Sequence, residues 1–244
     1  MERSVEALLR ELDQFLHQNN YEGAEHYLLE RLEEQPSPAL ELPIRNELMG
    51  LYRKCGRGEE AIAMAESAMD LLCANGLEQT VGAATTYLNS ATVYKAFGQA
   101  ERSLPLFEQA RAIYESNLRP HDRRLAGLYN NMGLTLVDLR RFEEADVLYQ
   151  KALAVLRQTA GNDPEMAVTW LNMATAAEAE QGLEQGEAKI EECMNQAKRL
   201  LEGHPSWDGN YAFVCEKCAS VFGYYGWFSY KNELSERARR IYGQ

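Results

Sequence analysis

Apolar residues recur every three or four positions along this chain, which is the period of an α-helix. The clearest stretch has apolar or small residues at Leu134, Leu136, Leu139, Phe142, Ala145, Leu148, Tyr149, Ala152, Leu153 and Leu156. A polar break at Arg140–Arg141 divides this stretch into two helices, and glycines at Gly56–Gly58 and Gly98 divide earlier stretches in the same way. No alternation of valine, isoleucine and threonine indicates a strand. The pattern therefore predicts an all-α protein made of helical hairpins.

A short asparagine-containing phrase repeats along the chain. Asn89, Asn131 and Asn172 are 42 and 41 positions apart, and each is followed two positions later by a small residue, namely Ala91, Gly133 and Ala174. A fixed period of this length is typical of repeat proteins, in which one supersecondary unit stacks on the next.

Further small residues follow in the same frame and define the units. Twelve positions after the first set come Ser103, Ala145 and Gly186, and a later series stands at Ala68, Ala110, Ala152, Cys193 and Ala238. Short side chains allow two antiparallel helices to approach closely, so these positions predict the helix contacts. We expect one solenoid domain over residues 1–244 with twelve helices in six hairpins. The predicted units are 3–36, 39–76, 78–118, 122–161, 163–203 and 208–244, and the first and last of them are degenerate, with Arg31 and Lys231 where small residues belong.

The pattern resembles the tetratricopeptide repeat, and specifically the 42-residue variety found in kinesin light chains. The stretches that carry the resemblance are 161–167 with 171–174, and 121–126 with 130–133. The resemblance implies a right-handed α-solenoid, in which the first helices of successive hairpins line a concave surface. It also implies that an asparagine at this place bonds the main chain of an extended bound peptide.

The chemistry of an amide fits such a role, since its carbonyl oxygen accepts and its nitrogen donates, matching both backbone groups of any peptide. Specificity would come from neighbours on the same helical face. The predicted peptide-binding residues are Asn89, Asn131, Asn172, Thr85, Thr92, Lys95, Asp138, Thr175, Glu178 and Arg53. This set is basic towards the second and third units and acidic towards the fourth and fifth, which favours a ligand of mixed charge. The alternative is that the asparagines cap or bridge neighbouring helices.

Charge and composition narrow the partners. The chain has 25 basic and 37 acidic side chains, a net charge of −12, and an acidic surface repels nucleic-acid backbones. No apolar run is long enough to cross a membrane. The expected partner is therefore a protein or peptide, with neither nucleic acid nor a membrane involved. The lysine–asparagine clamp that some repeat domains use for a terminal carboxylate is absent, because Asn46 and Gly50, and then Leu88 and Thr92, stand at its positions.

The last 38 residues hold 10 of the chain's 23 aromatic side chains, counting 3 Trp, 13 Tyr and 7 Phe. These aromatics either fill the terminal hairpin or form a contact surface for a homo-oligomer. Two alternatives to peptide binding follow: a self-assembling structural protein that uses this unit, and a peptide-sensing regulatory subunit that acts on a separate effector.

Little in the sequence indicates catalysis or a bound cofactor. The spacing Cys215–Cys218 is the one metal-like or redox-like feature, and a single such pair without a matched second pair favours core thiols. No histidine pair with zinc-protease spacing and no phosphate-binding glycine loop is present. We therefore predict no enzymatic activity, no cofactor and no metal. Five cysteines and no export signal in the first residues predict a reducing, cytoplasmic location.

Overall fold

A computed structural model describes residues 4–205 and 207–243, and in these residues the regular structure is entirely helical. The outermost positions of the predicted first and last units, 3 and 244, and the start of the chain used for the export-signal argument lie outside the described residues. The helices are α1 (Val5–His17), α2 (Tyr21–Glu33), α3 (Pro38–Lys54), α4 (Gly58–Ala74), α5 (Val81–Ala96), α6 (Ala100–Asn117), α7 (Arg123–Asp138), α8 (Phe142–Leu156), α9 (Asp163–Gly203), α10 (Gly209–Tyr224) and α11 (Phe228–Tyr242). This architecture confirms the predicted all-α solenoid of helical hairpins.

The first helix of most hairpins begins at a capping side chain. Ser4, Thr80, Asp122 and Asp208 each accept a hydrogen bond from a backbone N–H in the first turn of the helix that follows. These bonds satisfy donors that an α-helix leaves unpaired at its start. Local sequence therefore fixes where these helices begin.

The turn inside each hairpin is tight and uses a left-handed residue. The φ angle is 72° at Gly56 and 74° at Gly98, where glycine adopts this conformation without steric penalty. At the equivalent turn between α7 and α8 the residue is Arg140, with φ of 57°. A residue with a Cβ pays about 1–2 kcal/mol there, so packing of the two helices holds this turn in place. All three breaks predicted from the sequence are confirmed.

The fifth hairpin has almost no turn. Helix α9 is continuous from Asp163 to Gly203 except at Gly182, where φ is 80° and ψ is 170°. This one residue separates two helical segments, 163–181 and 183–203, which we call the first and second halves of α9. The halves approach so closely that a Cβ on Gly186 would lie 3.2 Å from the carbonyl oxygen of Ala177.

The repeated small residues lie at the helix contacts, as the spacing predicted. The small residues that recur in the second helices of the hairpins are all fully buried. They are Ala61, Ala68, Ser103, Ala110, Ala145, Ala152, Gly186, Cys193 and Ala238. A larger side chain at any of them would push two backbones apart.

The chain forms two compact units, Met1–Asn117 and Leu118–Gln244. In the first unit α3 packs against α2, α4 and α5, and α5 packs against α4 and α6. In the second unit α9 packs against α7, α8 and α10, and α10 pairs with α11. In each unit the first helices of successive hairpins are thus in direct contact, α3 with α5 and α7 with α9. No helix of the described residues is both long enough and apolar enough to cross a membrane.

The C-terminal aromatics divide into two groups. Tyr211, Phe222 and Tyr230 are buried, and the Phe222 and Tyr230 rings meet edge to face with centroids 4.7 Å apart. Others are exposed; they are Trp207, Phe213, Tyr224, Phe228 and Tyr242. The core and the surface interpretations therefore each account for part of the cluster.

Two glycines of α7 test the close-packing argument. A Cβ on Gly133 would lie 2.6 Å from Cε1 of Tyr149, whereas a Cβ on Gly127 would meet nothing within 4 Å. We expect Gly133→Ala to lower the free energy of unfolding by about 1–3 kcal/mol through overpacking. Gly127→Ala should raise it by up to about 1 kcal/mol, because alanine is the better helix former. Urea denaturation followed by circular dichroism measures both changes, and a stabilised Gly133→Ala variant would contradict the packing argument.

Candidate functional site

The first unit has a groove between α1, α3 and α5, which we call the first groove. Its volume is about 660 Å³. Apolar side chains of Leu9, Leu42 and Pro43 form much of its wall, and its polar edge consists of Asn46, Glu47, Thr85 and Asn89. These four polar side chains come from α3 and α5, the first helices of their hairpins.

Asn46 bridges two of the helices that form this groove. Its Nδ2 donates to Thr86 Oγ1 at 3.2 Å, which ties α3 to α5, while its buried Oδ1 has no partner among the described residues. Burial, with a smaller contribution from Asp13, raises the pKa of the neighbouring Glu47 carboxyl. An unpaired acceptor and a desolvated carboxyl on one groove wall both favour hydrogen-bond donors in a ligand.

The second unit has a groove between α7, the first half of α9 and α10, which we call the second groove. Its volume is about 540 Å³. Leu134, Val168, Leu171, Val214 and Val221 form its apolar part, and its polar residues include Arg123, Asn130, Asn131, Glu165, Asn172, Asn210 and Lys217.

The polar end of the second groove is organised around Glu165. The Glu165 carboxylate accepts from the Arg123 guanidinium and, at 3.2 Å, from Asn210 Nδ2, both bonds reaching Oε1. Its Oε2 is buried and has no partner among the described residues. At the other side the Lys217 ammonium lies 4.9 Å from the centroid of the half-exposed Phe213 ring. The groove thus offers acceptors, cations and an apolar surface within one cavity.

Asn130 in the second unit repeats the bridging contact of Asn46. Its Nδ2 donates to Thr169 Oγ1 at 2.9 Å, which joins α7 to α9 as Asn46 joins α3 to α5. The sequence carries a signal for this pair, because Asn46 and Asn130 are 84 positions apart, two repeat lengths, and each faces a threonine about one repeat later. Bridging between helices is therefore a role of Asn46 and Asn130, and in the predicted row Asn172 makes a weak contact of the same kind with Asn130, at 3.5 Å.

All three asparagines of the predicted row lie in a groove. Asn89 lines the first groove, and Asn131 and Asn172 line the second. Asn89 makes no hydrogen bond with the described residues, and Asn131 uses only its Nδ2, which donates to Gly127 O at 3.0 Å. Asn172 Nδ2 is 3.5 Å from Asn130 Oδ1, the limit of a hydrogen bond. In each of the three, the carboxamide oxygen accepts no bond from the described residues.

The other predicted site residues have different surroundings. Thr85 lines the first groove, with its Oγ1 2.7 Å from the hydroxyl oxygen of Tyr114. Thr92, Lys95, Asp138, Thr175, Glu178 and Arg53 lie outside both grooves, nearer the C-terminal ends of α5, α7, α3 and the first half of α9. Periodicity selected these residues by helical face, and it carries no information on where along each helix the grooves open.

Glu178 has a contact that the sequence did not reveal. Its two carboxylate oxygens accept from the hydroxyls of Tyr224, at 2.5 Å, and Tyr225, at 2.7 Å. Burial first, and then this hydrogen bond, raise the pKa of Tyr225 above its usual range. The pairing fixes the C-terminal end of α10 against α9.

Arg123, Glu165, Asn210 and Phe213 are groove residues that the sequence analysis missed. They lie at the start of α7, α9 and α10, about two turns before the repeated small residues. The helical spacing from which the peptide-binding residues were predicted therefore did not include them.

The candidate metal or redox pair is buried. Cys215 and Cys218 lie on α10 with almost no exposed surface, and Cys193 is equally buried on α9. Burial raises the pKa of Cys218 to about 12 and of Cys193 to about 11, which keeps both as thiols at neutral pH. Thiolates are the reactive and metal-binding form. The nearby His204 stacks on Tyr211 and faces Asp163, with 3.4 Å between Nδ1 and Oδ2.

Comparison with known proteins identifies the class of this protein. Sequence profiles of the tetratricopeptide repeat family match residues 44–116 and residues 125–165. Residues 44–116 and 125–165 therefore carry tetratricopeptide repeats. Repeats of this family generally act as protein-interaction scaffolds and generally not as enzymes.

Solved structures with similar folds show which kind of repeat fold this is. The crystal structure of BtubC (BKLC) from P. vanneervenii is 25% identical, with 83% of each chain covered and a TM-score of 0.69. A putative kinesin light chain from Podosopora anserina with nearly identical TPR-like repeats is 18% identical, with 81% of this chain and 92% of that chain covered and a TM-score of 0.55. A variant of that protein gives the same coverage and TM-score at 21% identity. The fold is thus of the kinesin-light-chain-like kind. No curated protein matches this chain.

The cysteines give a direct test of the packing around α9 and α10. Cys55 and Cys73 are exposed free thiols, whereas Cys193, Cys215 and Cys218 are buried. We expect two thiols to react rapidly with an aromatic disulfide reagent in the native protein and all five after unfolding. A Cys55→Ser/Cys73→Ser variant should show no rapid phase. Rapid reaction of Cys215 or Cys218 in that variant would contradict their burial.

Proposed function

We propose that this protein binds extended peptide segments of partner proteins, with each of its two grooves as a binding site. The main support for this proposal is that Asn89, Asn131 and Asn172, which recur once per repeat, all line a groove. In each of them the carboxamide oxygen accepts no hydrogen bond from the described residues. Each oxygen can accept a hydrogen bond from a peptide N–H, so these asparagines can bind the peptide backbone whatever the peptide sequence is. Such contacts would hold the ligand as an extended strand.

The groove walls give the proposed ligand its side-chain chemistry. Leu134, Val168 and Leu171 favour apolar side chains in the second groove, and the exposed face of Phe213 extends that surface. Asn46, Glu47 and Glu165 favour hydrogen-bond donors, while Arg123 and Lys217 favour acidic groups. We therefore propose a ligand that alternates apolar and charged residues of both signs.

Location and remaining partners are proposals as well. Five free cysteines are typical of a reducing compartment, which favours the cytoplasm. The net charge of −12 favours a protein ligand over a nucleic acid. We propose no catalytic role for the grooves.

The asparagine row can be tested with a peptide library selected on the immobilised protein. Anisotropy then measures the affinity of a selected peptide for the wild type and for an Asn89→Ala/Asn131→Ala/Asn172→Ala variant. Each lost hydrogen bond weakens binding by about 0.5–1.5 kcal/mol. A peptide in either groove loses one or two of these bonds, so we expect a dissociation constant raised on the order of 10-fold.

The matched control is Asn195→Ala/Asn232→Ala, since neither residue lines a groove. It should bind as the wild type does. Circular dichroism checks that both variants are folded. Equal affinity of the wild type and the folded triple variant would reject the asparagine row as the binding determinant.

A second candidate function is self-assembly through the C-terminal hairpin. Among the described residues eight large apolar side chains are exposed, and five of them lie between Trp207 and Tyr242. Phe228, at 64% exposed, begins α11 next to the last turn. Exposed aromatics concentrated in this way favour a contact with another protein surface.

Light scattering over a wide concentration range tests self-assembly. If the hairpin mediates it, the wild-type mass rises with concentration and Phe228→Ser returns the protein to a monomer. Val147→Ser, which removes an exposed apolar side chain from α8, should leave the wild-type behaviour unchanged. A wild-type mass that stays monomeric throughout would exclude this candidate.

A further inference from the structure

The two grooves differ in the charge of their walls. Among the described residues that line the first groove, Glu47 is the one that carries a charge. The second groove is lined by two cations, Arg123 and Lys217, against the single carboxylate of Glu165. The first groove is therefore negative and the second is positive, so the two favour ligand groups of opposite charge.

The Glu47 carboxyl lies on the side of the first groove that α1 forms. Leu9 and Asp13 are four positions apart on α1, so they share one face of that helix. Leu9 lines the groove, and Asp13 is close enough to act on Glu47. Burial first, and then the negative charge of Asp13, raise the pKa of the Glu47 carboxyl. The ionised form of Glu47 is therefore disfavoured in the fold, and an added cation would stabilise it.

No cation among the described residues pairs with Glu47. Its carboxylate forms neither an ion pair nor a hydrogen bond with them. The neighbouring Arg45 is engaged elsewhere, because it pairs with Glu41 and donates to Ser67 on α4. Carboxylates withdrawn from water are normally paired, so the missing counter-charge of Glu47 points to a ligand.

Two amide oxygens in the same groove also lack donors. Asn46 Oδ1 is buried and unpaired, and Asn89 forms no hydrogen bond with the described residues. The second unit shows the contrast, because there Asn172 Nδ2 lies 3.5 Å from Asn130 Oδ1. The first groove thus offers a carboxylate and two amide oxygens to a ligand, which favours a ligand rich in hydrogen-bond donors.

The rest of the first groove is largely apolar. The apolar side chains that line it are those of Leu9, Pro38, Leu42, Pro43 and Leu77. Lysine and arginine have apolar stems that pack on such a surface while their charged ends reach an acid. Apolar residues on either side of the basic one would cover the remaining wall.

We propose that the first groove binds partner segments in which a lysine or arginine is flanked by apolar residues. The basic side chain pairs with the Glu47 carboxylate, and backbone N–H groups of the segment donate to the carboxamide oxygens of Asn46 and Asn89. A polypeptide fits better than a free amine, because it supplies these N–H donors together with apolar side chains. This inference rests on the proposed function and assigns the basic ligand segments to one of the two grooves.

The proposal is tested on the whole protein with three synthetic peptide mixtures, observed by amide NMR. All are short, acetylated and amidated peptides whose flanking positions are drawn from leucine, valine, proline, serine and threonine. They differ only at the central position, which is basic (lysine or arginine), norleucine or glutamate. We expect the basic mixture to give saturable shifts at residues 42–47 and 85–89, and the other two to bind there about tenfold more weakly.

The mixtures also separate this inference from the proposed function. If the norleucine or the glutamate mixture binds the first groove as tightly as the basic mixture does, the groove binds peptides and the preference for a basic residue is rejected. Shifts with the basic mixture that leave the first groove unaffected reject this inference alone. If no mixture shifts the residues of either groove, the proposed function is rejected with it.

Variants identify the group that selects the charge. Glu47→Gln keeps the shape of the side chain, and it should remove most of the preference for the basic mixture over the norleucine mixture. Its melting temperature should stay the same or rise, because the carboxylate that is lost has no partner in the fold. Glu47→Lys should reverse the preference, so that the glutamate mixture binds most tightly.

The matched control is Glu59→Gln, which changes the net charge equally at an exposed position outside both grooves. It should keep the wild-type preference. Circular dichroism checks that all three variants are folded. A wild-type preference for the basic mixture in both Glu47 variants would overturn the proposal.

Discussion

The close approach of paired helices at small side chains is the contact on which the rest of this structure depends. Ala61, Ala145 and Ala152 are completely buried, and at Gly186 a single Cβ would come within 3.2 Å of a backbone oxygen. Dense interiors leave little room for added volume, so these positions set the distance between the helices of a hairpin. The tight turns at Gly56, Arg140 and Gly182 follow from that distance, because helices this close can be joined by only a few residues.

Narrow hairpins also explain where the grooves lie. Within each unit the first helices of two successive hairpins pack against each other. The hydrogen bonds from Asn46 to Thr86 and from Asn130 to Thr169 join these helices. Side chains on the free face then form continuous cavities with apolar walls and polar edges. The sheltered polar groups on those walls, including the Glu165 oxygen without a partner, are what make the grooves suited to ligands.

The second unit presents two chemically different surfaces from one helix. The first half of α9 contributes Asn172 and Glu165 to a groove of mixed charge, and Glu180 to a separate cavity between α8 and the two halves of α9, which is lined mainly by acidic side chains. The two surfaces lie on different faces of this helix.

The sequence by itself determined the helical fold, the repeat length, the breaks inside hairpins and the buried small residues, because these depend on period and side-chain size. The repeat frame drew attention to Asn89, Asn131 and Asn172, which line a groove, as Thr85 does. It carries no information on where the grooves open, and Thr92, Lys95 and Thr175 lie outside both of them. Glu165, Phe213 and the environment of Tyr149 became apparent only from the tertiary structure. The contacts of Tyr149 with Gly133 and of Glu165 with Arg123 and Asn210 join residues 16 to 45 positions apart, and helical period carries no information about contacts over such separations.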